Sequence, residues 1–148
     1  MRPNHRTGAA HATASASASH VGLARDSNED ALIEDPGLGL YAVFDGMGGA
    51  SAGEVAAQVA RVVTRDHVRR HRAEVDEPGL LCAALRRASA EVFALAARRA
   101  GCQGMGTTAV ACLVSPQPAR APVACVAHGA HVGDSRAYLA RAGFLTPL

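Results

Sequence analysis

The stretch LYAVFDGMGG, residues 40–49, decides the fold, because five apolar or aromatic residues lead directly into an aspartate and a glycine-rich loop. The run Leu40–Phe44 has the length and composition of a buried strand. Asp45 follows at the strand end, where a carboxylate is costly unless something pairs with it. The stretch therefore predicts a strand that delivers one carboxylate to a loop. An ordinary turn after a strand is the alternative interpretation.

The residues on either side predict a hairpin and a helix. Ala31–Glu34 has a strand pattern, and the turn residues Asp35-Pro36-Gly37 join it to the next strand. After the glycine loop, Ser51 and Glu54 have the spacing of a capping box. Valines then recur at helical spacing and predict the apolar face of this first helix: Val55, Val59, Val62 and Val63.

A second helix and three strands are predicted further on. Pro78 and Gly79 separate the two helices, and Gly101 ends the second one. The apolar face of the second helix is predicted from Leu81, Leu85, Val92 and Leu95. The strands that follow are predicted at Thr107–Val114, Val123–Val132 and Ala137–Ala140. Because helices are segregated from runs of strands, we predict an α+β fold.

Length and composition favour one globular domain. The chain has 148 residues, of which 49% are apolar. Residues 1–10 are predicted to be a disordered tail, and residues 11–148 the domain. Within residues 11–20 alanine alternates with serine or threonine, which fits either a strand or a low-complexity linker.

Charge and cysteine content exclude several classes of partner. A net charge of +2, dispersed along the chain, argues against nucleic acid as a partner. No segment is apolar enough for a membrane span, and no apolar leader follows the N-terminus. The four cysteines have no zinc-like spacing, and Cys112 and Cys125 lie in apolar runs typical of buried thiols. We therefore expect a cytoplasmic protein with reduced cysteines.

Three acidic clusters carry the chemistry. They lie at residues 25–30 (RDSNED), 44–49 (FDGMGG) and 132–136 (VGDSR). Carboxylate and carbonyl oxygens are hard ligands that suit Mg²⁺ or Mn²⁺ better than zinc. Taken singly, each cluster is more typical of a turn or a solvated surface than of a metal site.

Together with Gly106-Thr107-Thr108, these motifs resemble, in order and spacing, the type 2C (PPM) family of metal-dependent serine/threonine protein phosphatases. The resemblance implies an α–β–β–α sandwich in which two Mn²⁺ or Mg²⁺ ions activate water for attack on phosphorus, and in which a third ion binds more weakly. It implies that Asp45 bridges two ions, that the Gly46 carbonyl ligates one, and that Asp134 helps to hold the third. By the same resemblance Glu29 and Asp30 hold metal-bound waters, and Arg25 binds the phosphate. The two threonines are expected to be structural.

Two departures from the family pattern modify this expectation. Met47 stands where animal members carry a histidine, which resembles the bacterial branch of the family. The sequence also stops before the segments that carry two further metal-binding aspartates, so the fold is expected to be C-terminally incomplete. We therefore expect weak metal binding and little turnover from this chain alone.

The resemblance implies phosphorylated protein substrates, those of a serine/threonine kinase, and a monomer. A non-catalytic phosphoprotein-binding or regulatory remnant is one alternative, and a partner-switching regulator acting on an anti-sigma-antagonist protein is another. His67 and His71 have a metal-capable spacing but lie among arginines, so a solvated helix face is expected. His128 and His131 are expected to be ordinary strand residues.

Overall fold

The computed structural model describes residues 14–23, 25–48, 52–117 and 125–148. The tail predicted at residues 1–10 and the predicted cap Ser51 lie outside the described residues. Strands β1 (Asp30–Asp35) and β2 (Leu40–Met47) come first, and helices α1 (Ala52–His71) and α2 (Glu77–Arg98) follow. The chain continues with β3 (Gly106–Thr107), β4 (Ala109–Pro116), β5 (Cys125–Val132), β6 (Tyr138–Arg141) and β7 (Phe144–Pro147). This order confirms the predicted α+β class.

Strands β1, β2, β4 and β5 form an antiparallel sheet in that order, and the short β3 pairs with the end of β2. The predicted hairpin between β1 and β2 is confirmed, with Asp35 opposite Leu40. Asp35 closes the turn, because its backbone carbonyl and its side-chain Oδ1 both accept the Leu38 N–H, at 3.2 and 3.1 Å. Such a side-chain bond to the backbone two or three residues on is what favours aspartate at the start of a turn.

Both helices pack on the same face of the sheet, α1 over β1, β2 and β3, and α2 over β4 and β5. Asp76 caps α2 by accepting the Gly79 N–H at 3.0 Å, which satisfies one of the backbone donors left without a partner at a helix N-terminus. The helix ends at Arg98, three residues before the predicted stop at Gly101. No helix among the described residues is both long and apolar enough to span a membrane.

The core of α1 differs from the prediction. Its buried side chains are mostly alanines, whereas Val62 is 48% exposed and Val55, Val59 and Val63 are only half-buried. Alanine lets a helix lie closer to its neighbours than valine does, so the small residues face the sheet. In α2 the predicted Leu81, Leu85 and Val92 are buried as expected.

The structure shows no described helix packed on the opposite face of the sheet. In β2 the side chains alternate, so Leu40, Ala42 and Phe44 are buried against the helices while Val43 is 45% exposed. The described strands β1–β5 and the two helices thus form one sheet layer and one helix layer of the expected four-layer sandwich. Cys125 proves to be exposed, because it begins the edge strand β5.

Two further segments lie at the margins of this unit. Residues 14–20 form no strand, but alternate serines bond to β1: Ser15 and Ser17 donate to Glu34 at 2.6 and 2.5 Å, and Ser19 donates to Asp30 at 2.6 Å. At the other end of the chain, β6 and β7 pair as a separate, fully exposed hairpin. The sequence did not predict β7.

Candidate functional site

Four separate segments meet in a cavity of about 670 Å³ at one end of the sheet. They are the loop before β1, the end of β2 with its following loop, the junction of β3 and β4, and the loop after β5. Of the six predicted site residues, the cavity is lined by Arg25, Glu29, Asp45, Gly46 and Asp134. Residues far apart in sequence thus share one opening.

The pleat of β2 aims Asp45 at the cavity. Its neighbours Phe44 and Gly46 are buried towards the helices, so the side chain of Asp45 is exposed on the opposite face. The Gly46 N–H donates to the Glu29 carbonyl at 3.1 Å and extends the pairing of β1 with β2 by one residue. The carboxylate therefore stands on a strand that is held from both sides.

Gly46 is required by the close approach of α1. A Cβ at this position would lie 2.1 Å from the Gly53 carbonyl oxygen and 2.6 Å from the Glu29 carbonyl oxygen. Gly53 lies in the first turn of α1, and a Cβ there would lie 2.9 Å from the Glu29 carboxylate. Two glycines thus let the helix N-terminus contact both carboxylate-bearing segments.

Glu29 and Arg25 form an ion pair inside the cavity. Arg25 Nη1 lies 2.9 Å from Glu29 Oε2, with the glutamate side chain 10% exposed and the arginine side chain 65% exposed. A pair with one solvated partner contributes little to stability. The ion pair instead holds the exposed guanidinium of Arg25 beside the largely buried Glu29 carboxylate, where an incoming anion would contact it.

Asp30 is placed differently from its neighbour Glu29. Asp30 is the first residue of β1 and lies opposite Asp45 in the β1–β2 register, whereas Glu29 precedes the strand. Its N–H donates to Asn28 Oδ1 at 3.0 Å and its carboxylate accepts the Ser19 hydroxyl. Asp30 is not among the residues that line the cavity, and its role as a holder of metal-bound water stays a prediction.

Three cavity residues with polar side chains are not among the predicted binding groups: Asp26, Ser27 and Thr108. The first two belong to the RDSNED motif, so the motif itself was the available signal. Thr108 is expected from the sequence to be structural, and its hydroxyl lies 2.6 Å from the hydroxyl of Ser135, the residue after Asp134. That proximity joins positions 27 residues apart and leaves no local mark in the sequence.

The four histidines considered from the sequence do not line the cavity: His67, His71, His128 and His131. His67 and His71 stack on α1 with ring centroids 4.6 Å apart, and His71 Nδ1 lies 3.1 Å from Glu74. Burial, followed by the charges of His71 and nearby arginines, lowers the pKa of His67, which disfavours the protonated ring. His128 is half-buried and His131 is exposed in β5.

The donor chemistry of the cavity suits a hard divalent cation. Its acidic side chains and backbone carbonyls are oxygen donors, whereas a zinc site would draw on cysteine or histidine. In the part of the chain that the structure describes, no three histidine, cysteine or acidic side chains are close enough together to hold an ion. The residues present therefore fit Mn²⁺ or Mg²⁺ in kind and form an incomplete ligand set.

Comparisons with known proteins agree with this geometry. Residues 12–145 match the family model described as protein phosphatase 2C. The serine/threonine protein phosphatase PstP of Mycobacterium tuberculosis is 36% identical over 138 residues, which is 90% of this chain and 24% of that protein. This chain thus spans about a quarter of the length of that curated relative.

Solved structures give the same result. The crystal structure of the M. tuberculosis phosphatase PstP/Ppp superposes with a TM-score of 0.74 at 34% identity, covering 88% of this chain and 51% of that one. The PstP catalytic domain in complex with two manganese ions gives 0.73 at 34% identity, covering 88% and 52%. The phosphatase MsPP of Mycobacterium smegmatis, in complex with cacodylate, gives 0.68 at 30% identity, covering 88% and 50%.

Proposed function

The chain belongs to the protein phosphatase 2C family, and on this premise we propose that it carries part of the active site of a metal-dependent protein serine/threonine phosphatase. The reaction is hydrolysis of a phosphoserine or phosphothreonine ester. Water attacks phosphorus, the bond to the side-chain oxygen breaks, and inorganic phosphate and the free hydroxyl leave. One observation carries the proposal: Arg25, Asp45 and Asp134, from three distant segments, line the same cavity.

Each residue has a distinct role in the proposed site. Asp45 and the Gly46 carbonyl would hold the binuclear centre, and Asp134 would contribute to a third ion. Glu29 and Asp30 would accept hydrogen bonds from bound waters. The chemistry that Mn²⁺ or Mg²⁺ supplies here is a lowered pKa of water and neutralisation of charge on the phosphoryl group.

Arg25 would bind the phosphate of the substrate. Its bond to Glu29 uses Nη1, so the remaining guanidinium nitrogens can donate to phosphate oxygens. A planar guanidinium matches two phosphate oxygens at once, which fixes the direction of the ester bond. Met47 has no ionisable group, so the proton for the leaving hydroxyl must come from water or from another residue.

The first experiment measures Mn²⁺ binding by the 148-residue chain, using the electron paramagnetic resonance signal of the free ion. Wild type is compared with Asp45→Asn and with the control Asp66→Asn, a surface position on α1 that pairs only with arginines of its own helix among the described residues. We expect weak binding that Asp45→Asn removes and Asp66→Asn retains. Equal binding by wild type and Asp45→Asn would refute the assignment of Asp45.

Activity is measured on the same proteins as Mn²⁺-dependent phosphate release from p-nitrophenyl phosphate and from a phosphothreonine peptide. We expect low turnover, because no three ligands converge among the described residues. High turnover that depends on Mn²⁺ and is lost in Asp45→Asn would establish phosphatase activity and contradict the expected low turnover.

A second candidate is binding of phosphorylated protein without hydrolysis. The incomplete ligand set and the largely exposed Arg25 favour it. It predicts that a phosphothreonine peptide binds in the presence of EDTA, that Arg25→Ala abolishes the binding, and that Arg86→Ala, on the exposed side of α2, does not. Loss of peptide binding on metal removal would exclude this alternative.

The proposal extends to the substrates, the cellular location and the oligomeric state. The substrates would be phosphoproteins made by a bacterial serine/threonine kinase, and the chain would act as a monomer in the cytoplasm. Light scattering after gel filtration tests the monomer, and a dimer would contradict it.

A further inference from the structure

Thr108 lies at the junction of β3 and β4, directly opposite Asp45. In β3, Thr107 pairs with Gly46, and β4 continues in the same register along β2. Opposite residues of an antiparallel pair share a face, so Thr108 points to the same side of the sheet as Asp45. It also lines the cavity.

The hydrogen bonds at this position depart from a regular ladder. In a regular hydrogen-bonded pair of antiparallel strands, the two opposite residues exchange both backbone bonds. The Thr108 N–H does donate to the Asp45 carbonyl at 2.9 Å. The Asp45 N–H, however, donates to the Thr108 hydroxyl at 3.3 Å, and the Thr108 carbonyl accepts the Thr107 hydroxyl at 2.9 Å instead. A side chain has thus replaced a backbone carbonyl at the strand end that carries Asp45.

The same hydroxyl contacts the loop after β5. Thr108 Oγ1 lies 2.6 Å from Ser135 Oγ, and either oxygen can donate. The β4–β5 register places Gly133 opposite Thr108, and a Cβ on Gly133 would lie 2.9 Å from Thr108 Cγ2. Gly133 also has a φ of +91°, which other residues rarely adopt. The loop that carries Asp134 therefore rests on Thr108.

We propose that Thr108 is a positioning residue whose hydroxyl fixes the Asp45 strand end and the Asp134 loop relative to each other. This inference rests on the proposed function, in which both carboxylates serve the metal centre. Residues that orient metal ligands are hydrogen-bonded to them or to their supports, and their loss weakens metal binding. Thr108 meets that description, because its hydroxyl accepts the backbone N–H of Asp45 and also contacts the hydroxyl of Ser135.

The test compares Thr108→Val, which keeps the side-chain shape and removes the hydroxyl, with Thr108→Ser, which keeps the hydroxyl. We expect Thr108→Val to weaken Mn²⁺ binding roughly tenfold and Thr108→Ser to bind nearly as wild type. Thr64→Val is the matched control, because Thr64 is buried in α1 away from the cavity. Its Mn²⁺ affinity should equal that of wild type.

A metal-free measurement separates this inference from the proposed function. By amide hydrogen exchange in EDTA, Thr108→Val should speed exchange at Asp45 and at residues 133–136, and Ser135→Ala should do so at 133–136 only. Unchanged exchange in Thr108→Val overturns the inference, whether or not the chain binds Mn²⁺. Absence of Mn²⁺ binding in wild type would overturn the proposed function, and exchange would then decide the inference alone.

If Mn²⁺ binding is measurable, the affinities of the variants can also refute the positioning role of Thr108. Equal losses of Mn²⁺ affinity in Thr108→Val and Thr108→Ser would show that the shape of the side chain, and not its hydroxyl, supports metal binding. A double-mutant cycle with Asp134→Asn adds a further check, because Thr108→Val should cost less in that background. Full additivity of the two changes would overturn coupling through the Asp134 loop.

Discussion

Gly46→Ala should destabilise the fold at the point where α1 meets β2. The added Cβ would lie 2.1 Å from the Gly53 carbonyl oxygen and 2.6 Å from that of Glu29. Both contacts are with backbone atoms, so no flexible side chain can move aside. Restoring ordinary contact requires the helix N-terminus and the strand to separate by about 1 Å, and overpacking of a well-packed interior costs about 1–3 kcal/mol.

The size of the effect can be measured by thermal and urea unfolding followed by circular dichroism. For a domain of this length, about 2 kcal/mol lowers Tm by about 4–8 °C. Gly37→Ala is the matched control, because a Cβ there meets only Asp35 Oδ1 at 3.5 Å, an ordinary contact. It should be neutral or slightly stabilising. If both variants unfold alike, the close approach of α1 to β2 is wrong.

Two further predictions concern groups outside the cavity. Thr64→Val should raise the free energy of unfolding by about 1 kcal/mol, because the Thr64 hydroxyl is buried with no partner among the described residues; a loss of stability on urea unfolding would contradict this. The Ser15 and Ser17 hydroxyls lower the pKa of Glu34. The stability they add is therefore present above the ordinary carboxyl pKa and is lost as pH falls through the lowered one. Replacing both serines by alanine should raise the pKa of Glu34 in an NMR titration, and an unchanged value would show that the contact is absent in solution.

Local patterns were sufficient for most of the sheet and both helices. The apolar run of β2 and the Asp35-Pro36-Gly37 turn are local signals, and the hairpin they predict is present between β1 and β2. The exposed strand β7 was missed because Phe144–Pro147 is short, ends in proline, and packs against no buried surface that would impose a pattern. In α1 helical spacing predicted the half-buried Val55, Val59 and Val63, but it also included the exposed Val62 and omitted the buried alanines, because alanine and valine both count as apolar.

The candidate site was predicted less completely than the fold. Motif order placed Arg25, Asp45 and Asp134 together, and the cavity contains all three. Glu29 lines the cavity and Asp30 does not, and the roles of both as holders of metal-bound water stay predictions. The bond between Thr108 and Asp45 spans 63 residues, and it depends on a strand register that a single sequence does not reveal.

The charge distribution of the cavity itself argues for a cation. Four acidic residues line it, namely Asp26, Glu29, Asp45 and Asp134, with Arg25 as the only basic residue among its described lining. Arg25 pairs with one of them, which leaves an excess of negative charge around one opening. Gathering like charges costs free energy in the folded chain. A bound divalent cation would offset that repulsion, so adding Mn²⁺ should raise Tm in wild type and much less in Asp45→Asn.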